Sequence, residues 1–297
     1  MAPAGYLPDP AANTRGIAYL EARGCRVHNY YDHCAIHQRF GGTDAARLAA
    51  LHAAADNPEV DIVMAARGGY GLTRLLPAID FGRLADSGKR FVGYSDITAL
   101  HMGLYAKTGA LSYAGPFAAV DFGAALPNAF TRDDFWACLA GPTHTIVEAA
   151  AGNPRVEVSG TVWGGNLAML ASLLGTEWFP RIDNGILFVE DIAEHPYRVE
   201  RLLLQLMQAG VLGRQQALVL GDFSGYKLGT MDNGYDFAAM LAYLRATLPI
   251  PVITGLSFGH IARHVTIPFG AQGTLASNDE GFRLTLSDYP AWPGTPR

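Results

Sequence analysis

A serine stands in the turn of a predicted strand–turn–helix unit, where its hydroxyl could act as a nucleophile. The apolar run 90–92 is typical of a buried strand, and an apolar-periodic segment from Asp96 to Lys107 predicts a helix. Ser95 lies between them, so its hydroxyl and the following backbone N–H groups would face the same space. This is the geometry of a nucleophile elbow, although the usual glycine two residues after the serine is Ile97 here. On these residues alone, Ser95 could instead be the N-cap of the helix.

A serine nucleophile needs a general base and a carboxylate that orients this base. Among nine histidines, His260 is a candidate because it follows a predicted buried strand and because Gly259 would let the backbone approach a neighbour. Glu190 and Asp191 end an otherwise apolar strand, where two acids are costly unless they face a cleft and find donors. Asp191 could cap the next helix and leave Glu190 to orient the imidazole. A histidine with a purely structural role stays open for His260 taken singly.

Two consecutive glycines, Gly68 and Gly69, end another predicted strand and would expose successive N–H groups to an oxyanion or a carboxylate. The alternative is a tight strand-to-helix turn. The Gly-Lys-Ser/Thr spacing of a phosphate loop is absent. His260 and His264 are four residues apart, but their surroundings do not favour a helix, and no other metal-ligand spacing is present. We therefore expect no metal and no cofactor.

Composition limits the class of protein and its partners. The chain has 297 residues, of which 49% are hydrophobic and 16% charged, so it can bury a substantial core. Its net charge of −5 and 22 Lys and Arg residues make nucleic acid and anionic membranes poor partners. Three cysteines favour a reducing compartment over a disulfide framework. No apolar run reaches about 18 residues and no signal peptide is visible, so we expect a cytoplasmic protein.

Strands and helices alternate in the first half of the chain, which predicts a doubly wound parallel sheet. In such sheets ligands bind at the carboxyl ends of the strands, where Gly68, Gly69 and Ser95 would lie. A stretch rich in Gly, Pro, Thr and Ala follows, and the second half is predicted to be a mixed α+β domain. The predicted division is an N-terminal domain at 1–140, a linker at 141–155 and a C-terminal domain at 156–297. The strands predicted in the first half are 25–30, 61–66, 90–92 and 111–113.

The beginning of the alternation is incomplete. A helix capped at Asn13 and a strand at 25–30 would normally follow another strand, but only a stretch rich in Pro, Ala and Gly precedes them. We expect that the first strand of the sheet is missing from this sequence. The chain should then be less stable than a form that carries that strand, because neighbouring strands would keep unpaired N–H and C=O groups.

Five short motifs carry a resemblance that spans nearly the whole chain. They are Arg-Gly-Gly-Tyr-Gly at 67–71, Gly-Tyr-Ser-Asp-Ile-Thr at 93–98, Gly-Gly-Asn-Leu at 164–167, Val-Glu-Asp at 189–191 with Tyr-Arg at 197–198, and Gly-His at 259–260 with Pro-x-Gly at 268–270. Together and in this order, they resemble the LD-carboxypeptidase family of serine peptidases, also called muramoyltetrapeptide carboxypeptidases.

The resemblance implies a fold, an activity and a site. It implies a flavodoxin-like N-terminal domain with a doubly wound parallel sheet, followed by a smaller, mixed β-rich α+β domain, in a homodimer. It implies cleavage of the L,D bond between a diamino acid and the terminal D-Ala of murein tetrapeptide, during peptidoglycan recycling. The residues that match the family's site form a catalytic triad, an oxyanion hole and two further substrate-binding positions: Ser95, Glu190 and His260; the N–H groups of Gly69 and Asp96; and Gly68 and Asn166.

Two alternatives stay open at this point. A self-immunity peptidase of the same family would cleave the amide of a peptide–nucleotide antibiotic and would need an aromatic side chain to stack on the base. Trp163 and Trp178 are available, although both are expected in the core. A non-catalytic binder of wall peptides is the other alternative, and the presence of all three triad residues argues against it. The family often has Asn in place of His264, which bears on hydrogen bonding to the substrate.

Overall fold

The computed structural model describes residues 1–292 and 294, which form two β-sheets with helices packed against them. The helices are α1 (Pro10–Ala22), α2 (Asp44–Asp56), α3 (Phe81–Asp86), α4 (Thr98–Thr108), α5 (Ala129–Ala140), α6 (Leu167–Leu173), α7 (Pro196–Gln208) and α8 (Phe237–Thr247). The strands are β1 (Ile62–Met64), β2 (Arg90–Gly93), β3 (Ser112–Ala114), β4 (His144–Ala149), β5 (Val156–Asn166), β6 (Gly185–Glu190), β7 (Gln215–Leu220), β8 (Val252–Thr254), β9 (Ile267–Phe269), β10 (Gln272–Asn278) and β11 (Gly281–Ser287).

The first sheet has the strand order β1-β2-β3-β9. Its strands β1, β2 and β3 are parallel and are connected through helices, as the alternating pattern predicts. The antiparallel edge strand β9 comes from far down the chain and pairs with β3. The second sheet is larger, with the order β4-β11-β10-β5-β6-β7-β8, antiparallel from β4 to β5 and parallel from β5 to β8. The fold class is thus the predicted one, a doubly wound parallel sheet followed by a mixed β-rich region.

Strand β2, which leads to Ser95, and strand β6, which ends at Glu190, are deeply buried. Every residue of β6 is buried, and β2 is buried except at its first residue. The sequence of each strand contains a continuous apolar run, because the strand lies in the parallel part of a sheet that is covered on both faces. Helix α4 is buried along 98–104 and packs on β3, β5 and α6, so it contacts both sheets. The carboxyl ends of β2 and β6 are therefore held in a rigid core.

Three local predictions are wrong. The segment 25–30 is not a strand, because a cavity of about 390 Å³ separates it from β1 and leaves it without a ladder partner. The stretch predicted as a linker contains β4, which pairs with β11. Helix α1 begins at Pro10 and is capped by Asp9 rather than by Asn13.

The edge of β1 contacts the first residue of the chain. The Met1 amino group donates to the Met64 carbonyl at 3.2 Å, and the Ala66 N–H donates to the Met1 carbonyl at 2.7 Å. The additional strand expected beside β1 stays a prediction. None of the described helices is both long and apolar enough to cross a membrane.

Candidate active site

Ser95 lies at the carboxyl end of β2, in the sharp turn that leads into α4. Its φ is +58°, in the left-handed region that non-glycine residues seldom adopt, and such strain costs roughly 1–3 kcal/mol. The turn also needs a glycine at position 93, since a Cβ there would lie 2.8 Å from the Ile97 side chain. Strained backbone at a strand-to-helix turn with an outward hydroxyl matches the nucleophile elbow predicted from the sequence.

The buried side chain of His101 hydrogen-bonds the backbone of this turn. The Nε2 atom of His101, on α4, lies 2.8 Å from the Gly93 carbonyl oxygen. Burial lowers the pKa of His101 to about 4, so the ring is neutral and its Nε2–H donates to that carbonyl. The sequence indicated no partner for His101, because the bond joins it to a backbone atom eight residues earlier.

A chain of hydrogen bonds joins Ser95 to residues far away in the sequence. His260 Nε2 lies 3.0 Å from Ser95 Oγ, and His260 Nδ1 lies 2.8 Å from Glu190 Oε2. Glu190 is fully buried, whereas 20% of the His260 side chain is exposed. In the neutral imidazole with this pairing, Nδ1–H donates to the carboxylate and Nε2 accepts from the serine hydroxyl.

The electrostatics of His260 follow from these neighbours. Burial acts to lower its pKa, but the hydrogen bond and negative charge of Glu190 outweigh that effect, with smaller contributions from Asp191 and Asp121. The net result is a pKa raised above the ordinary value of 6.5. The imidazolium is therefore stabilised at the position where proton transfer from Ser95 would create it.

The side-chain amide of Asn166 hydrogen-bonds Glu190, and Gly259 packs against the Glu190 carboxylate. Asn166 ends β5 beside the end of β6, and its Nδ2 donates to Glu190 Oε1 at 3.1 Å and to Asp191 Oδ1 at 2.9 Å. A Cβ at Gly259 would lie 3.1 Å from Glu190 Oε2, so glycine leaves room for the carboxylate beside His260. Asn166 thus contacts the two carboxylates, and whether it also binds substrate stays a prediction.

Asp191 does not cap the helix that follows it. Its Oδ2 accepts from the N–H of Ala168 at the start of α6, and its Oδ1 accepts from the N–H of Ile192. The N-cap of α7 is His195. Burial raises the pKa of Asp191 to about 6, and the neighbouring charge of Glu190 adds to this effect. The sequence missed this role because α6 lies earlier in the chain and meets Asp191 only through the pairing of β5 with β6.

The double glycine packs directly against the serine. A Cβ at Gly68 would lie 2.8 Å from Ser95 Cβ and 2.9 Å from its Oγ. Gly69 has a φ of +84°, which glycine adopts without strain. Asp96 is the second residue of the 3₁₀ turn at 95–97, a position whose backbone N–H has no carbonyl one turn earlier. The structure therefore brings the loop 68–69 and the turn at 95–96 together beside the hydroxyl.

Two buried charged side chains hold this loop: Asp96, which the sequence singled out only for its backbone N–H, and Arg47, which it did not single out. Asp96 Oδ2 accepts from the Leu72 N–H at 2.8 Å, while Oδ1 has no hydrogen-bond partner among the described residues. Burial raises the pKa of Asp96 to about 7. Arg47 is buried and donates to the carbonyls of Gly71, at 3.0 Å, and Pro3. Arg47 also pairs with Asp44 on the same helix, but its bonds to this loop go to backbone carbonyls far away in the sequence, which no local pattern indicates.

Some expected substrate contacts are out of reach. His264 is fully buried, with Nε2 3.3 Å from Asp121 Oδ1, so its side chain is not open to a substrate. Trp163 is 1% exposed and donates to Gln215, and Trp178 packs against the core. Trp163 therefore cannot stack on a nucleobase.

A strained serine, an imidazole and a carboxylate at the carboxyl ends of parallel strands define a serine-type hydrolase. The LD-carboxypeptidase N-terminal domain family matches residues 1–115, and the LD-carboxypeptidase C-terminal domain family matches residues 159–275. The chain belongs to this LD-carboxypeptidase family, peptidase family S66.

Three similar proteins illustrate its range. The crystal structure of muramoyltetrapeptide carboxypeptidase from Oxalobacter formigenes is 50% identical, with a TM-score of 0.94 and 98% of each chain covered. A putative carboxypeptidase of Streptomyces coelicolor is 37% identical over 89% of this chain and 81% of its own. The microcin C7 self-immunity protein MccF of Escherichia coli is 28% identical over 91% of this chain and 88% of its own.

Proposed function

We propose that this carboxypeptidase hydrolyses the L,D bond between a diamino acid and the terminal D-Ala of murein tetrapeptides. The observation that carries the proposal is the hydrogen-bond chain from Ser95 through His260 to Glu190, at 3.0 and 2.8 Å. The similarity to muramoyltetrapeptide carboxypeptidase supports the substrate class.

In the proposed mechanism, Ser95 Oγ attacks the carbonyl carbon of the L-configured residue while His260 Nε2 takes the hydroxyl proton. Glu190 holds the imidazole in the required tautomer and stabilises the imidazolium that forms. The backbone N–H groups of Gly69 and Asp96 donate to the oxyanion of the tetrahedral intermediate. His260 then protonates the amine of D-Ala as the C–N bond breaks, which leaves an acyl-enzyme on Ser95. Water, activated by the same imidazole, releases the tripeptide and restores the serine.

The cellular setting belongs to the same proposal. Release of D-Ala from tetrapeptides would serve peptidoglycan recycling, and we place the protein in the cytoplasm as a homodimer, as its family implies. Cell fractionation and sedimentation of the purified protein test these two statements separately from the activity.

A second substrate class is kept because of the similarity to a microcin self-immunity protein. Such an enzyme would cut the amide of a peptide–nucleotide conjugate with the same three side chains. The burial of Trp163 removes one base-stacking candidate, which favours the murein peptide.

The deciding experiment incubates the purified protein with murein tetrapeptide and, separately, with an aminoacyl sulfamoyl nucleoside, and measures D-Ala and free amino acid. We expect D-Ala release and no cleavage of the nucleoside conjugate. Ser95→Ala should lower kcat by about 10⁴–10⁶-fold and abolish fluorophosphonate labelling. Ser159→Ala, at an exposed serine on β5, is the matched control and should retain both. Residual activity of Ser95→Ala above a tenth of the wild-type value would overturn the mechanism.

A further inference from the structure

Arg67, directly before the double glycine, has its guanidinium folded back along the loop. Its Nη2 lies 3.3 Å from where a Cβ of Gly69 would be, and its Nε lies 3.4 Å from where a Cβ of Gly5 would be. Nη1 donates to the Tyr6 carbonyl at 2.8 Å. Glycines on both sides thus let the planar group lie close to the backbone, and one hydrogen bond fixes its orientation.

Most of the donors of Arg67 are unused. A guanidinium carries five N–H donors, and within residues 1–292 and 294 the only hydrogen bond from this one is that to Tyr6. No carboxylate among those residues lies within 4.0 Å of it. Its Nε and Nη2 atoms are also not among the buried unpartnered atoms, so they are open to solvent or ligand. A half-buried cation with free, oriented donors is suited to an anion.

The neighbouring arginines are already engaged or differently placed. Arg47 and Arg74 both pair with Asp44. Arg39 has no carboxylate partner within the described chain, but it is exposed and lies over the Tyr70 ring, 5.7 Å from its centroid. Arg67 is therefore the guanidinium with free donors that adjoins the loop in contact with Ser95.

We propose that Arg67 binds the free α-carboxylate of the residue that is released, and so selects for a chain end. The inference rests on the proposed function, in which the terminal carboxylate lies one residue beyond the scissile carbonyl. Arg67 is placed for this role because it directly precedes Gly68, which packs against Ser95, and because its guanidinium lies beside Gly69 of the same loop. Two parallel N–H···O bonds from Nε and Nη2 would hold a carboxylate with both charge and direction.

The test compares a murein tetrapeptide with its C-terminal carboxamide, which removes the negative charge but keeps the scissile bond. The wild-type protein should prefer the acid by about 10²-fold in kcat/KM, as expected for a charged hydrogen-bonded contact. Arg67→Ala should lose about that factor on the acid and less than about threefold on the amide, so that the preference disappears. Arg67→Lys, which keeps the charge without the planar fork, should retain an intermediate preference.

Arg39→Ala is the matched control, since it removes a nearby unpaired guanidinium and should keep the wild-type preference. Equal kcat/KM of the wild-type protein on acid and amide would overturn the inference even if every variant misfolded. So would an Arg67→Ala variant that loses the same factor on both substrates, or a collapse of the preference in Arg39→Ala. Failure of the proposed function would look different, because the wild-type protein would then release no D-Ala from the acid at all.

Discussion

Replacement of Gly68 by alanine should inactivate the enzyme through a single methyl group. The new Cβ would lie 2.8 Å from Ser95 Cβ, 2.9 Å from Ser95 Oγ and 3.1 Å from Phe117 Cζ. Ordinary contact begins at 3.4 Å, so the loop and the serine must separate by about 0.6 Å or more. Gly68 does not have a positive φ, so the effect is one of space and not of backbone strain.

The expected loss of activity follows from which atoms must move when the loop separates from Ser95. Ser95 Oγ is held by a 3.0 Å hydrogen bond to His260, and the Gly69 N–H that would bind the oxyanion is in the next residue. A displacement of about 1 Å in a catalytic constellation can cost about 10²-fold, and loss of one oxyanion donor costs about 10²–10³-fold. We therefore expect kcat for D-Ala release to fall by at least about 10²-fold. Overpacking should lower the free energy of unfolding by only about 1–3 kcal/mol, which leaves the protein folded.

The assay measures kcat, fluorophosphonate labelling and Tm for Gly68→Ala beside Gly213→Ala. Gly213 lies in a 3₁₀ turn where a Cβ meets no atom within 4 Å, so that control should match the wild-type protein. A Gly68→Ala variant with kcat within threefold of wild type and an unchanged Tm would refute the reasoning, because the loop would then be free to move away from the serine.

Two further predictions concern pH. The activity should rise with pH as His260 loses its proton. Because Glu190 raises the pKa of His260 above 6.5, the midpoint of the kcat/KM profile should lie above that pH. A flat profile or a midpoint below 6.5 would contradict the assignment of His260 as the base. For Asp96, burial raises the pKa from 3.8 to about 7, so the folded state binds a proton that the unfolded state has released, and the free energy of unfolding should decrease as pH rises across that interval. Asp96→Asn keeps an acceptor for the Leu72 N–H and should remove this part of the decrease in urea unfolding measured from pH 4.5 to 7.5, whereas an identical slope in both proteins would count against it.

The sequence carried enough information to predict the parts of the site that are local. Ser95 lies in a turn between an apolar strand and an apolar helix, and both elements form as predicted. The acidic end of β6 was also visible, because charge after a fully apolar strand needs a cleft or donors. His260 was different, since the buried strand and the glycine before it made it a candidate but did not distinguish it from a structural histidine. Its place in the predicted triad depended on the family resemblance.

The errors share one physical origin, which is that strand pairing is a tertiary property. The segment 25–30 has strand-like composition but no partner, so it stays irregular beside a cavity. Strand β4 has one buried residue, Ile146, and therefore lacks an apolar pattern, yet it forms because β11 offers a ladder. Strand β9 joins the first sheet by pairing with β3, with Pro268 opposite Tyr113, although strands β4 to β8 all lie between them in the chain. No local pattern around β9 could indicate so distant a partner.

The junction of the two halves explains how such separated residues form one site. The serine and the glycine loop come from the first sheet, and the carboxylate and its amide come from the second. Thr98, at the start of α4, accepts from the Asn166 N–H at 3.0 Å, and a Cβ at Gly165 would lie 2.4 Å from that hydroxyl oxygen. Gly165 thus lets the end of β5 contact the helix that begins beside Ser95. Because Asn166 also hydrogen-bonds Glu190, this one contact couples the position of the Glu190 carboxylate to that of Ser95.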